Sequence, residues 1–487
     1  MERAELKQKT VTGGLFTVAN QVSAVALQIG STVILARILT PSDFGVIGKV
    51  TAFTGLTAIL GDLGLSLATI QSKEINQKQL SALFWLNVII GFALAVCIAG
   101  SAPLIAWFYD DQRLVIVTLL FAALIFLNGL VVQHKAILKR NLNFAPIFIS
   151  TFSGGCIGLV LAVIFARQLG YYAIVMQLII TSLFSGIGYW ILCGWSPSFH
   201  LRGTGIRPML GMAGNFTGWN LLGYGIRNID NVLIGKFEGD QQLAFYTKAY
   251  GLVLQPLLQI SVPISQVAVP ALSKLQSEPE AYRSFFCKGC SIAMILQLPI
   301  AIFSVVAAPE IVLTLLGSQW QPSVPIFLAL SPALLSAATS PATSWIYLSR
   351  GDTKRMMRAL MISAPFYIAA FSIGIQFGTL GVAIAFSTIS LLVRIPNIWY
   401  AINPSPVNLV DISNCMIPPL ISSLIALGLA WLCNYLPIEL VLAKLAAKGF
   451  VFAIAYLVAL LAWENGRDFF NIAQAQLRKI FHSFTSK

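Results

Sequence analysis

Charge is what this sequence has least of. Asp, Glu, Lys and Arg make up 10% of its 487 residues, where a soluble domain carries about 25%. So few charges cannot keep the surface of a water-soluble globule wetted. With 57% hydrophobic residues the chain cannot be disordered either. Histidine is scarce as well: His134, His200 and His482 lie far apart beside basic residues, reading as inner-surface residues and not as a ligand set. Of the seven cysteines most sit in apolar runs, where a thiol acts as a small hydrophobe. Cys287-Lys-Gly-Cys290 is a lone C-x-x-C with no second pair and no nearby His, so no metal or redox site is expected. No segment between apolar runs exceeds about twenty residues, which leaves no room for a folded extramembrane catalytic domain. P-loop, G-x-S-x-G and H-E-x-x-H patterns are all missing. Neither an enzyme nor a cofactor is expected.

What the chain does have is apolar sequence. Its mean hydropathy is +0.81, the composition of a polytopic membrane protein. Runs of membrane-spanning length lie at about 11–39, 44–70, 80–108, 114–133, 145–166, 170–193, 209–235, 243–272, 285–308, 321–348, 357–377, 379–401, 411–434 and 437–463, each near the roughly 20 residues a helix needs to cross a bilayer. The first is too long for a signal-peptide core and is expected to stay as a membrane helix. Run 243–272 holds Pro256, Pro263 and Pro270; a bundle tolerates these, and a bent helix is expected.

The net charge of +13 would suggest nucleic acid in a soluble protein. In a membrane protein it first sets orientation, because cytoplasmic loops collect Lys and Arg. With the N-terminus inside, 22 of the 31 basic residues, Lys135 among them, fall in inner segments and 7, Lys448 among them, in outer ones. That bias supports fourteen transmembrane helices with both termini cytoplasmic, and no nucleic-acid partner. Tryptophans such as Trp107, Trp320 and Trp431 then fall at outer ends, and Trp85, Trp190 and Trp399 at inner ends, as indole rings prefer.

The chain repeats. Gly14-Leu-Phe16-Thr17-Val-Ala-Asn20 matches Gly214-Asn-Phe216-Thr217-Gly-Trp-Asn220, a separation of about 200 residues. After a one-residue deletion, Val33-Ile-Leu-Ala-Arg37 parallels Val232-Leu-Ile-Gly-Lys236, and Lys49 stands opposite Lys248. Six helices per unit is an even number, so both copies enter from one side and form parallel repeats. The expected architecture is an all-α protein with two six-helix bundles, residues 1–205 and 206–405, followed by two further helices and a basic tail in 406–487. Transporters of this kind hold substrate between their halves near the bilayer midplane.

An ionisable residue inside a span costs roughly 2.5–3.5 kcal/mol on insertion scales, so it faces a cavity or a partner. Lys49 and Asp62 lie in the second run, Arg227 and Asp230 in the seventh, and Lys248 near the start of the eighth. Arg227 and Asp230 are three apart and share a helix face. If Lys49, Arg227 and Lys248 face one cavity with Asp230, three positive charges meet one negative. Such a cavity favours an anion, and phosphate or pyrophosphate suits a bidentate Arg. The competing readings are a plain Arg227–Asp230 lock and lysines that snorkel to the surface. Asp62, in Gly61-Asp62-Leu-Gly64, is the candidate ion-coupling carboxylate, against a residue at a kink or inner water layer. Asn20 and Asn220 read as interhelical hydrogen-bonding groups ahead of substrate ligands.

Three segments carry a family resemblance. Ala36-Arg37-Ile-Leu-Thr40-Pro41-Ser-Asp43-Phe44-Gly45 resembles the A-R-x-L-x-P-x-D-F-G signature of the polysaccharide transport family, the Wzx-type flippases of the multidrug/oligosaccharidyl-lipid/polysaccharide (MOP) superfamily. Leu138-Lys-Arg140-Asn-Leu142-Asn-Phe144 is similar to its L-x-R-x-L-x-F loop, with Asn141 where Asp is frequent. Arg227-Asn-Ile-Asp230-Asn231-Val-Leu-Ile-Gly235 resembles its R-x-x-D-x-x-x-I-G segment, and Tyr246-Thr-Lys-Ala249-Tyr250 follows. The resemblance spans about residues 10–400 and is strongest to the subgroup typified by the colanic acid exporter. It implies a V-shaped pair of six-helix bundles with two added helices. The implied activity is alternating-access flipping of an undecaprenyl-pyrophosphate-linked oligosaccharide from the cytoplasmic to the outer leaflet of the bacterial inner membrane, for export of O-antigen, capsule or exopolysaccharide, with ion coupling proposed for the family. Expected partners are that lipid-linked substrate, membrane lipids, a polysaccharide polymerase and a chain-length regulator, around a monomeric transporter. Two alternatives stay open. A multidrug exporter of the same superfamily would want an acidic cavity for cationic drugs. A membrane-embedded polymerase or glycosyltransferase would want a large loop or a carboxylate cluster.

Overall fold

The computed structural model describes residues 3–61, 65–72, 75–199, 214–403, 405–464, 466–471 and 474. All regular structure among them is helical. In chain order the helices are α1 (Arg3–Ile38), α2 (Pro41–Leu60), α3 (Leu65–Gln71), α4 (Gln77–Tyr109), α5 (Arg113–Gly129), α6 (Val132–Arg140), α7 (Ala145–Leu169) and α8 (Tyr171–Cys193). Then come α9 (Gly214–Phe237), α10 (Gly239–Lys274), α11 (Pro279–Val306), α12 (Ala308–Leu316), α13 (Ser323–Ala338) and α14 (Ser340–Ser349). The last four are α15 (Thr353–Gly374), α16 (Gly378–Ile402), α17 (Leu409–Leu432) and α18 (Val441–Leu461). Among the described residues, 11 segments are long and apolar enough to cross a membrane, and one of these, 353–402, contains both α15 and α16. Helices α2 and α9, which carry Lys49 and Arg227, are outside that set.

The surface is apolar, and polar side chains are turned into a largely apolar interior. Leu104, Ile164, Ile362 and Leu392 stand exposed, while Asn87, Thr118, Ser422 and Ser423 are buried. A water-soluble protein shows the reverse; lipid as solvent explains it, since helices satisfy their own backbone groups and turn side-chain polarity inward. Several expected runs divide. The 44–70 run becomes α2 and α3, the 114–133 run becomes α5 and α6 about Leu130 and Val131, and the 321–348 run becomes α13 and α14 at Thr339, ahead of Pro341. The run with three prolines is a single helix, α10.

By internal packing the chain forms two compact units, Met1–Ala244 and Phe245–Lys487. The expected repeat boundary at 205/206 lies outside the described residues. In the first unit, Val46, Val50, Ile105, Leu114, Val117 and Val175 form a core between α2, α4, α5 and α8. His134, expected at the inner surface, is instead fully buried. Its ring lies 4.2 Å from the Trp190 ring, 5.2 Å from Trp195 and 5.8 Å from Phe84. Aromatic contact outweighs hydration for an imidazole placed on the inner face of α6. His200 and His482 lie outside the described residues.

The second unit is pinned by two ion pairs. Asp411 completes the capping box of α17 with Asn408 and accepts two bonds from Arg283 of α11, at 2.7 and 2.8 Å. Lys448 of α18, grouped with the outer cations in the sequence, is 1% exposed. Its amine donates to Glu310 of α12 at 2.7 Å and to the Val306 carbonyl at 2.9 Å. The two helices beyond the repeat are thus joined to α11 by a half-exposed ion pair and to α12 by a buried one.

Candidate functional site

The first signature segment is a helix start. Thr40 and Asp43 form a reciprocal capping box, and Pro41 occupies the first turn, where its missing N–H is harmless. Asp43 therefore has a local structural role. Gly45 has a tertiary one: a Cβ there would overlap the Asp240 backbone at the start of α10. Glycine at 45 lets the first turn of α10 lie directly on α2.

That approach brings together a charge cluster which the sequence did not reveal. Lys49, one turn beyond Gly45 and 5% exposed, forms an ion pair with Asp240 at 2.5 Å and lies 3.8 Å from Asp111. Arg113 contacts Asp240 at 2.6 Å and Asp111 at 2.8 Å. The amine of Lys49 also stands 5.2 Å from the centre of the Tyr109 ring. Burial alone would raise the Asp111 carboxyl, but the Arg113 hydrogen bonds and the charges of Arg113 and Lys49 outweigh it and hold that group below the usual carboxylate range. Beside the cluster, Lys236 donates to the Phe108 carbonyl, and the Tyr224 hydroxyl of α9 donates to the Thr51 carbonyl of α2 at 2.8 Å. Gly235 of the third signature segment packs against Tyr109 and the Lys49 stem. Helix α9 and the start of α10 are therefore clasped onto α2, α4 and α5.

This revises the charge count made from sequence. Two carboxylates, Asp111 and Asp240, balance Lys49 and Arg113, so Lys49 stands in a neutral cluster and not as an unmatched cation. Asp111 lies in the short connection between α4 and α5, and Asp240 in the first turn of α10.

Arg227 and Asp230 do not act as a pair. Asp230 is 1% exposed and accepts from the Asn231 amide at 2.8 Å. Arg227 is exposed, its guanidinium lying back along α9 within van der Waals reach of a Cβ at Gly223. No hydrogen bond or ion pair to its guanidinium is found among the described residues. Lys248 is half-buried within the second unit. Asp62 lies outside the described residues, as does the side chain of Asn220.

Alongside α2, inside the first unit, runs a cavity of about 570 Å³, within the range of ligand pockets. Thr51, Thr54 and Thr57 of α2 line one wall, with Leu124, Ile125 and Leu178 among the apolar groups opposite. Lys135 of α6 also lines it. Sequence reading placed Lys135 among the inner-segment charges, two residues past the end of the apolar run 114–133. The neighbouring Arg140, in the L-x-R-x-L-x-F segment, has a different task. It donates to the Thr69 and Ser72 carbonyls at 2.7 and 2.6 Å, closing the end of α3.

These signature positions lie in a region that matches a family model described as polysaccharide biosynthesis protein, over residues 34–325, more than half of the chain. The chain belongs to this family. It is 24% identical over 409 residues to the lipopolysaccharide biosynthesis protein WzxC of Escherichia coli (strain K12), covering 82% of each chain. It is 26% identical over 328 residues to the teichuronic acid biosynthesis protein TuaB of Bacillus subtilis (strain 168), covering 66% of this chain and 67% of that one. Among solved structures it resembles the lipid II flippase MurJ in an inward closed conformation, with a TM-score of 0.70 at 16% identity over 91% of this chain and 98% of that one. A multidrug resistance MATE family transporter of the MOP superfamily, in an inward-facing conformation, gives a TM-score of 0.60 at 17% identity over 77% and 93%. The family expected from the signature segments is therefore the family found, and the helical fold resembles those of the MurJ and MATE structures.

Proposed function

We propose that this protein flips a lipid-linked oligosaccharide across the bacterial inner membrane by alternating access, with undecaprenyl pyrophosphate as the carrier. Family membership supports polysaccharide export as the setting, and the likeness to a lipid II flippase supports a lipid-linked substrate. The observation that carries the reading is the exposed Arg227 guanidinium on α9, which no protein group neutralises among the described residues. An anionic headgroup is the ligand such a group suits. Lys49, Asp230 and Lys248 complete the proposed substrate-binding set. Lys49 serves through its ion cluster, which by loop charge lies at the outer end, where it would hold that end closed. Asp62 is the proposed ion-coupling carboxylate.

The membrane layout that goes with this reading has fourteen spans. Paired helices α5/α6 and α13/α14 count once each, α15 and α16 count separately, and α2 and α9 are included as charge-bearing spans. Both termini are then cytoplasmic, in two parallel six-helix repeats plus α17 and α18.

The test is complementation of a strain deleted for this gene. Arg227→Ala should abolish surface polysaccharide while the protein remains in the membrane at wild-type level, and Arg227→Lys should restore part of it. Full polysaccharide in Arg227→Ala would remove Arg227 from the mechanism. The fold it shares with a multidrug transporter supports a second reading, drug export. Loss of drug resistance with unaltered glycan would favour that one.

A further inference from the structure

The cavity beside α2 differs chemically from end to end. Along α2, Thr51 donates its hydroxyl proton to the Gly48 carbonyl at 3.1 Å, Thr54 to Val50 at 3.1 Å and Thr57 to Thr54 at 2.5 Å. Each hydroxyl has thus given its proton to its own helix, and the oxygen it turns to the cavity can only accept. A wall of acceptors suits a ligand rich in O–H donors, as a sugar is.

Donors lie on other walls. Ser182 of α8 donates to Asn128 Oδ1 at 2.9 Å. That bond orients the amide and leaves its NH₂ group without a partner among the described residues. Lys135 stands on the exposed face of α6, whose neighbouring positions Gln133, His134, Ala136 and Ile137 are buried. No Asp or Glu lines the cavity, and no ion pair holds the Lys135 amine among the described residues. An ammonium among apolar and hydroxyl groups without a counter-charge favours a bound anion.

We infer that Lys135 and Asn128 receive the phosphate groups of a polyprenyl-linked glycan, and that the threonine wall of α2 accepts hydrogen bonds from its first sugar. This rests on the flippase reading and adds a second anion contact, on α6, separate from Arg227 on α9. A single charge-assisted hydrogen bond is worth enough to change affinity by about tenfold to a hundredfold.

The test uses the full-length protein in lipid nanodiscs and measures binding of a monosaccharide-linked polyprenyl pyrophosphate by native mass spectrometry. Lys135→Gln should weaken binding by about tenfold to a hundredfold, and Lys135→Arg should hold within about threefold, since the charge remains. Binding of the uncharged polyprenol should be the same in all three proteins. Thr57→Val should weaken the glycosylated probe and leave the sugar-free pyrophosphate unchanged. Equal affinity of wild type and Lys135→Gln for the charged probe would overturn the inference, while loss of polysaccharide in Arg227→Ala would still uphold transport. Inorganic pyrophosphate or phosphatidylglycerol displacing the probe at equal concentration would overturn the assignment to a glycan carrier. If wild type binds no polyprenyl pyrophosphate and does not restore polysaccharide, the transport reading itself falls, and this inference with it.

Discussion

Breaking the Lys49–Asp240 contact tests the cluster that joins α10 to α2. The perturbation is Lys49→Met, which keeps the stem against Gly235 and removes the charge. The Lys49 side chain is 6% exposed and that of Asp240 11%, at 2.5 Å, so this is a buried pair. Removing one partner of such a pair costs about 3–5 kcal/mol, because the other charge stays in low dielectric. Asp240 keeps Arg113 at 2.6 Å, but that side chain is 47% exposed and its charge is screened, so the expected loss lies near the lower end, about 3 kcal/mol. For a unit of this size that corresponds to a fall in apparent Tm of roughly 6 °C or more. Asp240→Asn should behave similarly, leaving Lys49 with Asp111 at 3.8 Å. The double variant Lys49→Met/Asp240→Asn has no orphaned charge at the contact, since Arg113 and Asp111 still pair at 2.8 Å. Its loss should fall short of the sum of the single losses by a coupling of about 1.5–3 kcal/mol. The assay is thermal unfolding of the detergent-purified protein by circular dichroism. Single losses that add to within about 0.5 kcal/mol would refute the pairing.

Acid should loosen the same cluster. Because the folded-state pKa of Asp111 is depressed from 3.8, its contribution is present above the unfolded pKa and lost as pH falls through the folded value. The stability difference between wild type and Asp111→Asn should therefore hold steady from neutral pH to about 5 and shrink toward zero below it; a gap that widens in acid would contradict this. In the second unit, Lys448→Ala should destabilise by about 3–5 kcal/mol, and adding Glu310→Gln to Lys448→Met should recover part of the loss, both measured by thermal unfolding.

Much of the fold could be read without coordinates because lipid sets a simple rule. Each helix must be apolar and long, and that condition is local in sequence. The signature segments were legible for the same reason: each is a short contiguous pattern, and in the first the structure shows a Thr40–Asp43 capping box within four residues with Pro41 at the start of α2. Helix breaks inside apolar runs were not legible. The division at Leu130 and Val131 follows Asn128-Gly129, a turn dipeptide overlooked within the apolar run, and α10 continues through three prolines that would end a helix in water. His134 was misplaced because its neighbours in sequence are polar, whereas its neighbours in space are aromatic.

The site divides in the same way. Sequence by itself indicated a helical membrane protein of the polysaccharide family, with few ionisable residues in its apolar runs, Lys49 and Arg227 among them. Burial in lipid makes each such residue expensive, so each stands out one at a time. Only the tertiary structure decided which charges are already answered. Asp111 and Asp240 meet Lys49 across separations of more than sixty and nearly two hundred residues, whereas Arg227 meets no carboxylate among the described residues. Lys135 moved from a loop charge to a cavity wall. Ion pairing depends on distances of a few ångströms between side chains on different helices, and helix packing sets those distances.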